Sequence, residues 1–585
     1  MIALRNNRQG FNLEGLDRLT ILHIVIFLFM VAIALQLINL QIFQHRKYQQ
    51  IAVSQHLSEK ELIPERGEIY IHDYQSSDNK IYPVAINKKY FLAYAVPTQI
   101  KNVTAAIKLL APVLELEEDE LYKRLAKEKD IYEPLKHKID EEKRKQIEGL
   151  GLEGIRFEEE VFRYYPEKNI GAQVIGFVGY KGDELVGRYG IEGYFQKELA
   201  GERGIITFER DASGRFIPIA KRIKASQRNG ADIVLTLDRS IQFTTCKSLE
   251  ATVKKYNAQK GTVTIMDPKT GAILAMCNYP DFDLNNYNQV EDISIYNNSA
   301  IFEPYEPGSD IKGITMAAAL DVGGISPETT YEDTGTVEIA GYTIHNSDGL
   351  AHGIKSMTEV LEESLNTGSI FAARTVGPEK FYDYMLRFGF GRPTGITLET
   401  EITGSIANLK PKPKQKSDLA MATGSFGQGF TATPLQILDA FAAIANKGKL
   451  MKPYIIDEIR HPDGRVEKTQ PQFLRQVILE KTANTLSAML ASVVKYGHAK
   501  RAAVKGYYIA GKTGTAQTVD PNTGKWSENT ANHTFVGFAP VDNPAFVMII
   551  KLDKPQVTWA ESSVVPLFGE IAQFLLNYLG IPPSY

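Results

Sequence analysis

The 585-residue chain has little cysteine: Cys246 and Cys277 are its whole supply, too few for a disulfide framework. No HExxH, CxxC or phosphate-binding lysine loop is expected to serve this chain, so neither a metal nor a nucleotide cofactor is expected. No charge excess exists either. Lys and Arg number 66 against 69 Asp and Glu, a net charge of −3, so no strongly basic face is expected and nucleic acid is not a partner. No internal repeat is visible. At 43% hydrophobic and 23% charged, the composition excludes wholesale disorder and collagen. The length exceeds one core and implies two or three domains.

One stretch lacks charge altogether. Between Arg18 and Arg46 no charged residue occurs, and Leu19 to Phe43 is almost continuously apolar. About 20 apolar residues span a bilayer as a helix. A cleaved signal peptide is the alternative, with Ala32-Ile33-Ala34 as its cleavage signature. The apolar run continues past that point, and a signal core is normally about 7–15 residues, so an uncleaved anchor is the reading. Arg5, Arg8 and Arg18 before the segment outweigh Arg46 and Lys47 after it, which favours a cytoplasmic N-terminus and an extracytoplasmic remainder.

Residues 44–225 form a charged, mixed region. Val113 to Leu150 is rich in Glu and Lys, with Leu114, Leu121 and Leu125 at helical spacing, and reads as solvated amphipathic helices. From Asp232 the texture changes. Strands are expected at Asp232–Asp238, Gly261–Met266, Ala272–Asn278, Tyr507–Ala510, His533–Phe538 and Ala545–Lys551. A helix is expected from Ser240 to Tyr256, and residues 312–500 read as mainly helical. Strands at both ends with helices between them give one α/β domain whose sheet is assembled from both ends.

Three short motifs carry chemistry, and each has decoys. Ser-x-x-Lys occurs at Ser77/Lys80, Ser309/Lys312 and Ser492/Lys495. Ser-x-Asn occurs at Ser77/Asn79, Ser364/Asn366 and Ser527/Asn529, and Lys-Thr-Gly at Lys269 and Lys512. Context chooses between them. Ser309 follows a Pro-Gly breaker and precedes an apolar helical run, so it sits at a helix start beside unpaired backbone N–H groups that can hold an oxyanion. Lys312 falls on the same helical face and could take the serine proton if burial or a nearby cation lowers its pKa. Ser77 lies in a polar turn, and Ser492 lies inside a helix pattern with no breaker.

Ser364-Leu-Asn366 ends a helix pattern that starts near Ser356, where a hydroxyl and a carboxamide can face a cleft; the plainer reading is an Asn/Gly helix stop. Lys512-Thr513-Gly514-Thr515 follows a strand-like run, where a peptide could add as an extra strand. Lys269 sits in a hairpin turn that needs no functional explanation, and Ser527/Asn529 sit in a polar loop.

The remaining triple, Ser309, Ser364 and Lys512, is the motif set of penicillin-binding proteins and class A β-lactamases. The chain resembles class B penicillin-binding proteins over nearly its whole length. Arg66-Gly67, Arg163-Tyr-Tyr-Pro166 and Gly187-Arg-Tyr-Gly-Ile-Glu192 look like the three motifs of the family's membrane-proximal region. Asp267-Pro268, Phe388-Gly-Phe-Gly391, Thr433-Pro-Leu-Gln436 and Phe535-Val-Gly-Phe-Ala-Pro540 resemble its catalytic blocks. Two departures stand out. Asp310-Ile311 follows the nucleophile where the family usually has an uncharged residue and then Phe or Val, and Ile71-His-Asp73 replaces the usual Asp-Arg-Asn-Gly run. An acid at position 310 could alter the pKa of Lys312.

The resemblance implies a fold and a division of the chain. The fold is an α/β (α+β) serine transpeptidase/β-lactamase-like domain, an antiparallel sheet with helices, after a mixed α/β pedestal and one transmembrane helix. The expected division is a cytoplasmic tail (1–18), an anchor (19–43), a pedestal of dimerisation type (44–225) and a transpeptidase domain (226–585). No glycosyltransferase region and no appended module are expected. The implied reaction is D,D-transpeptidation of peptidoglycan stem peptides through a Ser309 acyl-enzyme, with β-lactams acylating the same serine. The resemblance implies Lys312 as base, Ser364 as proton relay and Asn366 for the peptide amide. It implies Lys512, Thr513 and Thr515 for the terminal carboxylate, Gly514 in the binding strand, and backbone N–H groups of Ser309 and Thr515 as oxyanion hole. The implied partners are a SEDS-class glycan polymerase and other division or elongation proteins at the membrane, and the compact pedestal looks division-like. The alternatives are a D,D-carboxypeptidase or β-lactamase-type hydrolase, and a non-catalytic β-lactam sensor or division scaffold.

Overall fold

The computed structural model describes residues 17–48, 57–74, 80–127, 129–182, 184–210, 216–411, 417–519 and 526–585. Arg5, Arg8 and the decoy Ser77 lie outside them. The chain folds into two compact units.

The first unit comprises Met1–Pro64 and Glu202–Arg228. Its helix Arg18–Ile38 runs on as a π-turn over Asn39–Phe43. Together they make 26 residues, long and apolar enough to cross a membrane, and none of the side chains is buried. Leu, Ile and Phe facing outward on every side of a helix need an apolar solvent. The same unit holds an antiparallel sheet of Leu57–Leu62, Gly204–Arg210 and Phe216–Ala225.

The second unit comprises Glu65–Gly201 and Asn229–Tyr585. One of its sheets runs in the order Val466–Lys468, Ile456–Arg460, Asp232–Asp238, Ile69–His72, Ile81–Ala95, Glu133–Ile139, with Ile155–Tyr164 also paired to the long Ile81–Ala95 strand. Asp232–Asp238 is thus a strand as expected, but it pairs in parallel with Ile69–His72 and belongs to this sheet, not to the catalytic one. The Glu- and Lys-rich stretch forms helices Val103–Leu114, Glu118–Leu125 and Glu141–Gly149, and the strand Glu133–Ile139 interrupts what had read as helices alone. Leu114, Leu121 and Leu125 are buried in a small core of their own.

The three membrane-proximal motifs converge on one carboxylate. Glu192 is fully buried; its Oε2 lies 2.5 Å from Arg66 Nη2 and its Oε1 2.6 Å from Arg163 Nε. Burial alone would raise its pKa, but the two guanidiniums hold it below the ordinary range. Removing either partner would strand a buried charge, so the three motifs form one structural unit.

The catalytic sheet has five antiparallel strands in the order Ile273–Tyr279, Lys260–Met266, Phe546–Asp553, Trp526–Ala539, Ala510–Val519. It is assembled from both ends of the domain, as the sequence implied. Every residue from Phe546 to Leu552 is buried, so the sheet is covered on both faces. Helices Arg239–Lys255 and Ala560–Tyr578 touch each other and pack on it, the Phe535 and Phe568 rings meeting edge-to-face at 4.7 Å. Helix Pro434–Ala445, buried at all of its positions, packs on the same sheet.

Two expectations are corrected here, and one feature is added. Tyr507–Ile509 is not a strand; the strand begins at Ala510 and carries the Lys-Thr-Gly itself. Residues 312–500 include short two-stranded sheets among the helices, such as Thr336–Ile339 with Tyr342–His345. The two cysteines do pair, as one Cys246–Cys277 disulfide between helix Arg239–Lys255 and strand Ile273–Tyr279.

Helix Met357–Glu362, which delivers Ser364 to the site, starts with a capping box. Ser356 Oγ accepts from the Glu359 N–H, and Glu359 Oε2 accepts from the Ser356 N–H at 2.8 Å. A Ser356→Ala variant is expected to lose about 1 kcal/mol of stability. Thermal and urea unfolding read this loss, and an unchanged midpoint would refute the cap's role.

Candidate active site

Ser309 sits in the short 3-10 turn Gly308–Asp310, which leads into helix Ile311–Asp321. The Pro-Gly breaker thus does place it at a helix start. The turn is held from behind by Gly427, whose carbonyl accepts from the Gly308 N–H at 3.1 Å. Any Cβ on Gly427 would lie 2.0 Å from the Gly308 carbonyl oxygen, so only glycine allows this approach. Lys312, one turn along, is fully buried.

Ser364 lies between two helices rather than at the end of one. Helix Met357–Glu362 stops, Ser364 takes a left-handed φ of 57°, and helix Asn366–Val376 begins. The Asn/Gly helix stop is therefore wrong: Asn366 and Gly368 open a new helix. The sharp turn brings the Ser364 hydroxyl between two lysines. Lys312 Nζ donates to Ser364 Oγ at 3.2 Å and to its carbonyl oxygen at 2.5 Å. Lys512 Nζ donates to the same Oγ at 3.0 Å and to the Thr513 carbonyl oxygen at 3.1 Å.

Lys512, Thr513, Gly514 and Thr515 lie on strand Ala510–Val519, the edge of the sheet. Among the described residues its partner strand is Trp526–Ala539, which leaves its other edge without a paired strand, where an added strand could pair. Lys512 is fully buried and Thr513 nearly so, while Thr515 is half-buried.

Two ammonium groups around one hydroxyl, both out of water, cannot both stay charged cheaply. Burial lowers the Lys312 pKa far below the usual lysine range, and the neighbouring Lys512 lowers it further. Burial also lowers Lys512, to about 8, against the opposing pull of Asp310. Lys312 is therefore the lysine suited to be neutral and basic, and Lys512 the one suited to remain charged. The expected influence of Asp310 on Lys312 is corrected: the carboxylate acts on Lys512.

Asn366 is held by a network that sequence reasoning missed. Its N–H donates to Asn346 Oδ1 at 3.0 Å, and its Nδ2 donates to the His345 carbonyl at 2.8 Å. Asn346 in turn donates to Asp333, which also accepts from Thr367 Oγ1 at 2.7 Å. No local pattern marks Asn346 or Asp333, because the residues they support, Asn366 and Thr367, lie 20 or more residues away.

The decoys do not join this group. Lys269 is exposed in the turn between Lys260–Met266 and Ile273–Tyr279, and its Nζ donates to Asn543. Ser492 lies inside helix Glu480–Lys495 and its hydroxyl donates to Glu362. The side chains of Ser527 and Asn529 lie outside the described residues. The expected absence of a phosphate-binding lysine loop is corrected in its letters: Gly506 to Thr513 spells one. Its lysine enters a strand, not a helix start, so the N–H cradle of such a loop is not formed. Among the described residues, no group of three His, Cys, Asp or Glu side chains is placed to hold a metal.

Comparison with known proteins decides the family. Residues 261–573 match the penicillin binding protein transpeptidase domain, and residues 61–235 match the penicillin-binding protein dimerisation domain. The chain belongs to the class B penicillin-binding proteins. Among similar penicillin-binding proteins, stage V sporulation protein D of Bacillus subtilis is 35% identical over 528 residues, 89% of this chain and 79% of that protein. The probable peptidoglycan D,D-transpeptidase PenA of Neisseria gonorrhoeae is 30% identical, over 84% of this chain and 82% of that one. Penicillin binding protein 3 of Mycobacterium tuberculosis, solved in complex with aztreonam, superposes with a TM-score of 0.69 at 26% identity, over 90% of this chain and 98% of that one.

Proposed function

We propose that this penicillin-binding protein cross-links peptidoglycan stem peptides as a serine D,D-transpeptidase at the division site. The observation that carries the reading is the single Ser364 hydroxyl held 3.2 Å from Lys312 Nζ and 3.0 Å from Lys512 Nζ, next to the helix that Ser309 opens. Lys312 takes the Ser309 proton as Ser309 Oγ bonds to the penultimate D-Ala carbonyl carbon. The backbone N–H groups of Ser309 and Thr515 hold the oxyanion. The bond to the terminal D-Ala nitrogen then breaks, and the proton passes by way of Ser364 to the leaving amine. Asn366 positions the peptide amide, while Lys512, Thr513 and Thr515 hold the terminal carboxylate. The amine of a second stem peptide attacks the ester and releases Ser309. β-Lactams acylate the same oxygen by ring opening, with no leaving group to depart.

A hydrolase on this fold would use the same first half-reaction. The two part at the acceptor. With a D-Ala-D-Ala peptide and an added amine, mass spectrometry should find the amide product and one free D-Ala per bond made. Release of free acid alone, at every amine concentration, would overturn the transpeptidase reading; no acylation at all would favour a sensor or scaffold.

The same reading covers topology, domains and partners. The apolar helix anchors the chain, residues 1–18 are cytoplasmic, residues 44–225 form the pedestal and residues 226–585 the catalytic domain. The Cys246–Cys277 disulfide supports an extracytoplasmic domain, because disulfides persist in oxidising compartments. A reporter fused after Tyr585 that is active only in the cytoplasm would refute this orientation. The partner is a SEDS-class glycan polymerase, expected to co-purify from membranes with the full-length protein and not with a form lacking residues 1–43. The name of the Bacillus subtilis relative favours a second setting, spore formation. A fluorescent fusion that gathers only around developing spores, never at septa, would replace division by that role.

A further inference from the structure

Directly behind the nucleophile lies a carboxylate with no outlet to solvent. Asp310 is fully buried, and its Oδ2 accepts from Thr534 Oγ1 at 2.5 Å. Thr534 stands opposite Gly514 in the sheet register. A Cβ on Gly514 would lie 2.9 Å from Asp310 Cγ and 2.2 Å from Thr534 Oγ1, so the missing side chain is what lets the carboxylate lodge under the substrate strand. Asp310 Oδ1 is buried with no hydrogen-bond partner among the described residues. A buried carboxylate left half-satisfied is costly unless a charge compensates it.

The charged and titratable groups around it are few. Burial pushes the Asp310 carboxyl up to about 7, against the Thr534 hydrogen bond and the charge of Lys512 on the strand above, so the group is ionised at pH 8, where the alkaline limb is read. Tyr305, four residues before the nucleophile, is buried, and its hydroxyl has no partner among the described residues. Lys551, on strand Phe546–Asp553, stands 5.1 Å from the Tyr305 ring and is paired with Asp553. Lys312, on the helix side, has Lys512 as its charged neighbour.

We propose that Asp310 is a positioning residue for the transpeptidase reaction: its carboxylate, lodged against Gly514 by Thr534, is the counter-charge that keeps the proton on Lys512 and so leaves Lys312 as the lysine that accepts the Ser309 proton. The two buried lysines share the Ser364 hydroxyl. The carboxylate distinguishes them, because it is lodged against Gly514, two residues along the strand from Lys512. A charged Lys512 is also the form that holds a substrate or penicillin carboxylate. The inference rests on the transpeptidase reading above.

The test is the pH profile of acylation by a fluorescent penicillin, measured on the full-length protein from pH 5 to 10. In the wild type, the alkaline limb reports loss of the Lys512 proton, near pH 8. The Asp310 charge opposes that loss, so Asp310→Asn moves the limb to lower pH, by about one unit, and the rate at pH 8 falls about fivefold. Thr534→Val keeps the carboxylate but removes the hydrogen bond that stabilises its ionised form, so the limb moves the same way by less. A merely structural role would lower the plateau of either variant and leave both limbs in place; that result overturns the proposal. If Asp310→Asn loses its cooperative unfolding transition, Thr534→Val decides alone, and an unmoved limb overturns the proposal. If the wild type itself takes up no label at Ser309, the transpeptidase reading falls first and this inference falls with it.

Discussion

A Ser309→Ala protein is expected to take up no covalent penicillin label at all, while Ser77→Ala and Ser492→Ala proteins label like the wild type. The three serines share one motif and differ in surroundings. Ser309 opens helix Ile311–Asp321, where the first backbone N–H groups have no partner within the helix. One turn on is a lysine whose pKa burial lowers far below the usual range. Ser492 has the opposite setting: a helix interior, a hydroxyl committed to Glu362, and a Lys495 whose amine lies beside the Tyr496 ring and is held above the usual lysine pKa by it. Such a lysine holds its proton and cannot act as a base near neutral pH. Ser77 lies outside the described residues, in the polar run from Tyr74 to Lys80, which no apolar helical run of the kind after Ser309 follows closely. Intact-mass spectrometry of each folded variant after penicillin treatment reads the result directly. Label remaining on the Ser309→Ala protein would disqualify Ser309 as the nucleophile.

What could be read in advance follows the range of the physics. The serine at a helix start was legible because Pro307-Gly308 and the apolar run after it are local signals. The catalytic strands were legible for the same reason: Lys260–Met266 and Phe546–Asp553 are apolar at nearly every position and bounded by turns. The Ser364 turn was not. From Ser356 to Asn366 the residues favour helix, and what breaks it is a left-handed serine between two packed helices, a tertiary demand. Tyr507–Ile509 failed in the opposite sense. Its apolar, aromatic letters fit a strand, yet Tyr507 is spent on the chain's last segment, donating to the Ile581 carbonyl. The strand Asp232–Asp238 was found, but its partner Ile69–His72 is more than 160 residues earlier, and no periodicity carries that information. The Asn346–Asp333–Thr367 support of Asn366 and the lodging of Asp310 beneath Gly514 are invisible for the same reason. Each depends on contacts between segments far apart in sequence.

Lys512→Ala is expected to slow acylation by roughly 30- to 1000-fold, and Lys269→Ala to leave it unchanged, although both residues begin a Lys-Thr-Gly. At position 269 the ammonium is exposed in a hairpin turn, and its one hydrogen bond, to Asn543 at 2.8 Å, is made in water. Truncating it should change stability by well under about 1 kcal/mol. At position 512 the ammonium is fully buried, 3.0 Å from the Ser364 hydroxyl, on the open edge strand where a substrate carboxylate would arrive. On the proposed mechanism its removal takes away three things together: the charge that holds the carboxylate, a donor that orients Ser364, and the like charge that lowers the Lys312 pKa. The third effect sets a signature that simple loss of binding lacks. Without Lys512 beside it the Lys312 pKa should rise towards the usual lysine range, so the acid limb of the acylation profile should move to higher pH. The acylation rate with a labelled penicillin, measured across pH for both folded variants, tests the whole assignment. If Lys269→Ala slows acylation as much as Lys512→Ala, the active site has been placed on the wrong lysine. If Lys512→Ala slows it with the acid limb unmoved, Lys512 serves the carboxylate alone and does not set the charge of Lys312.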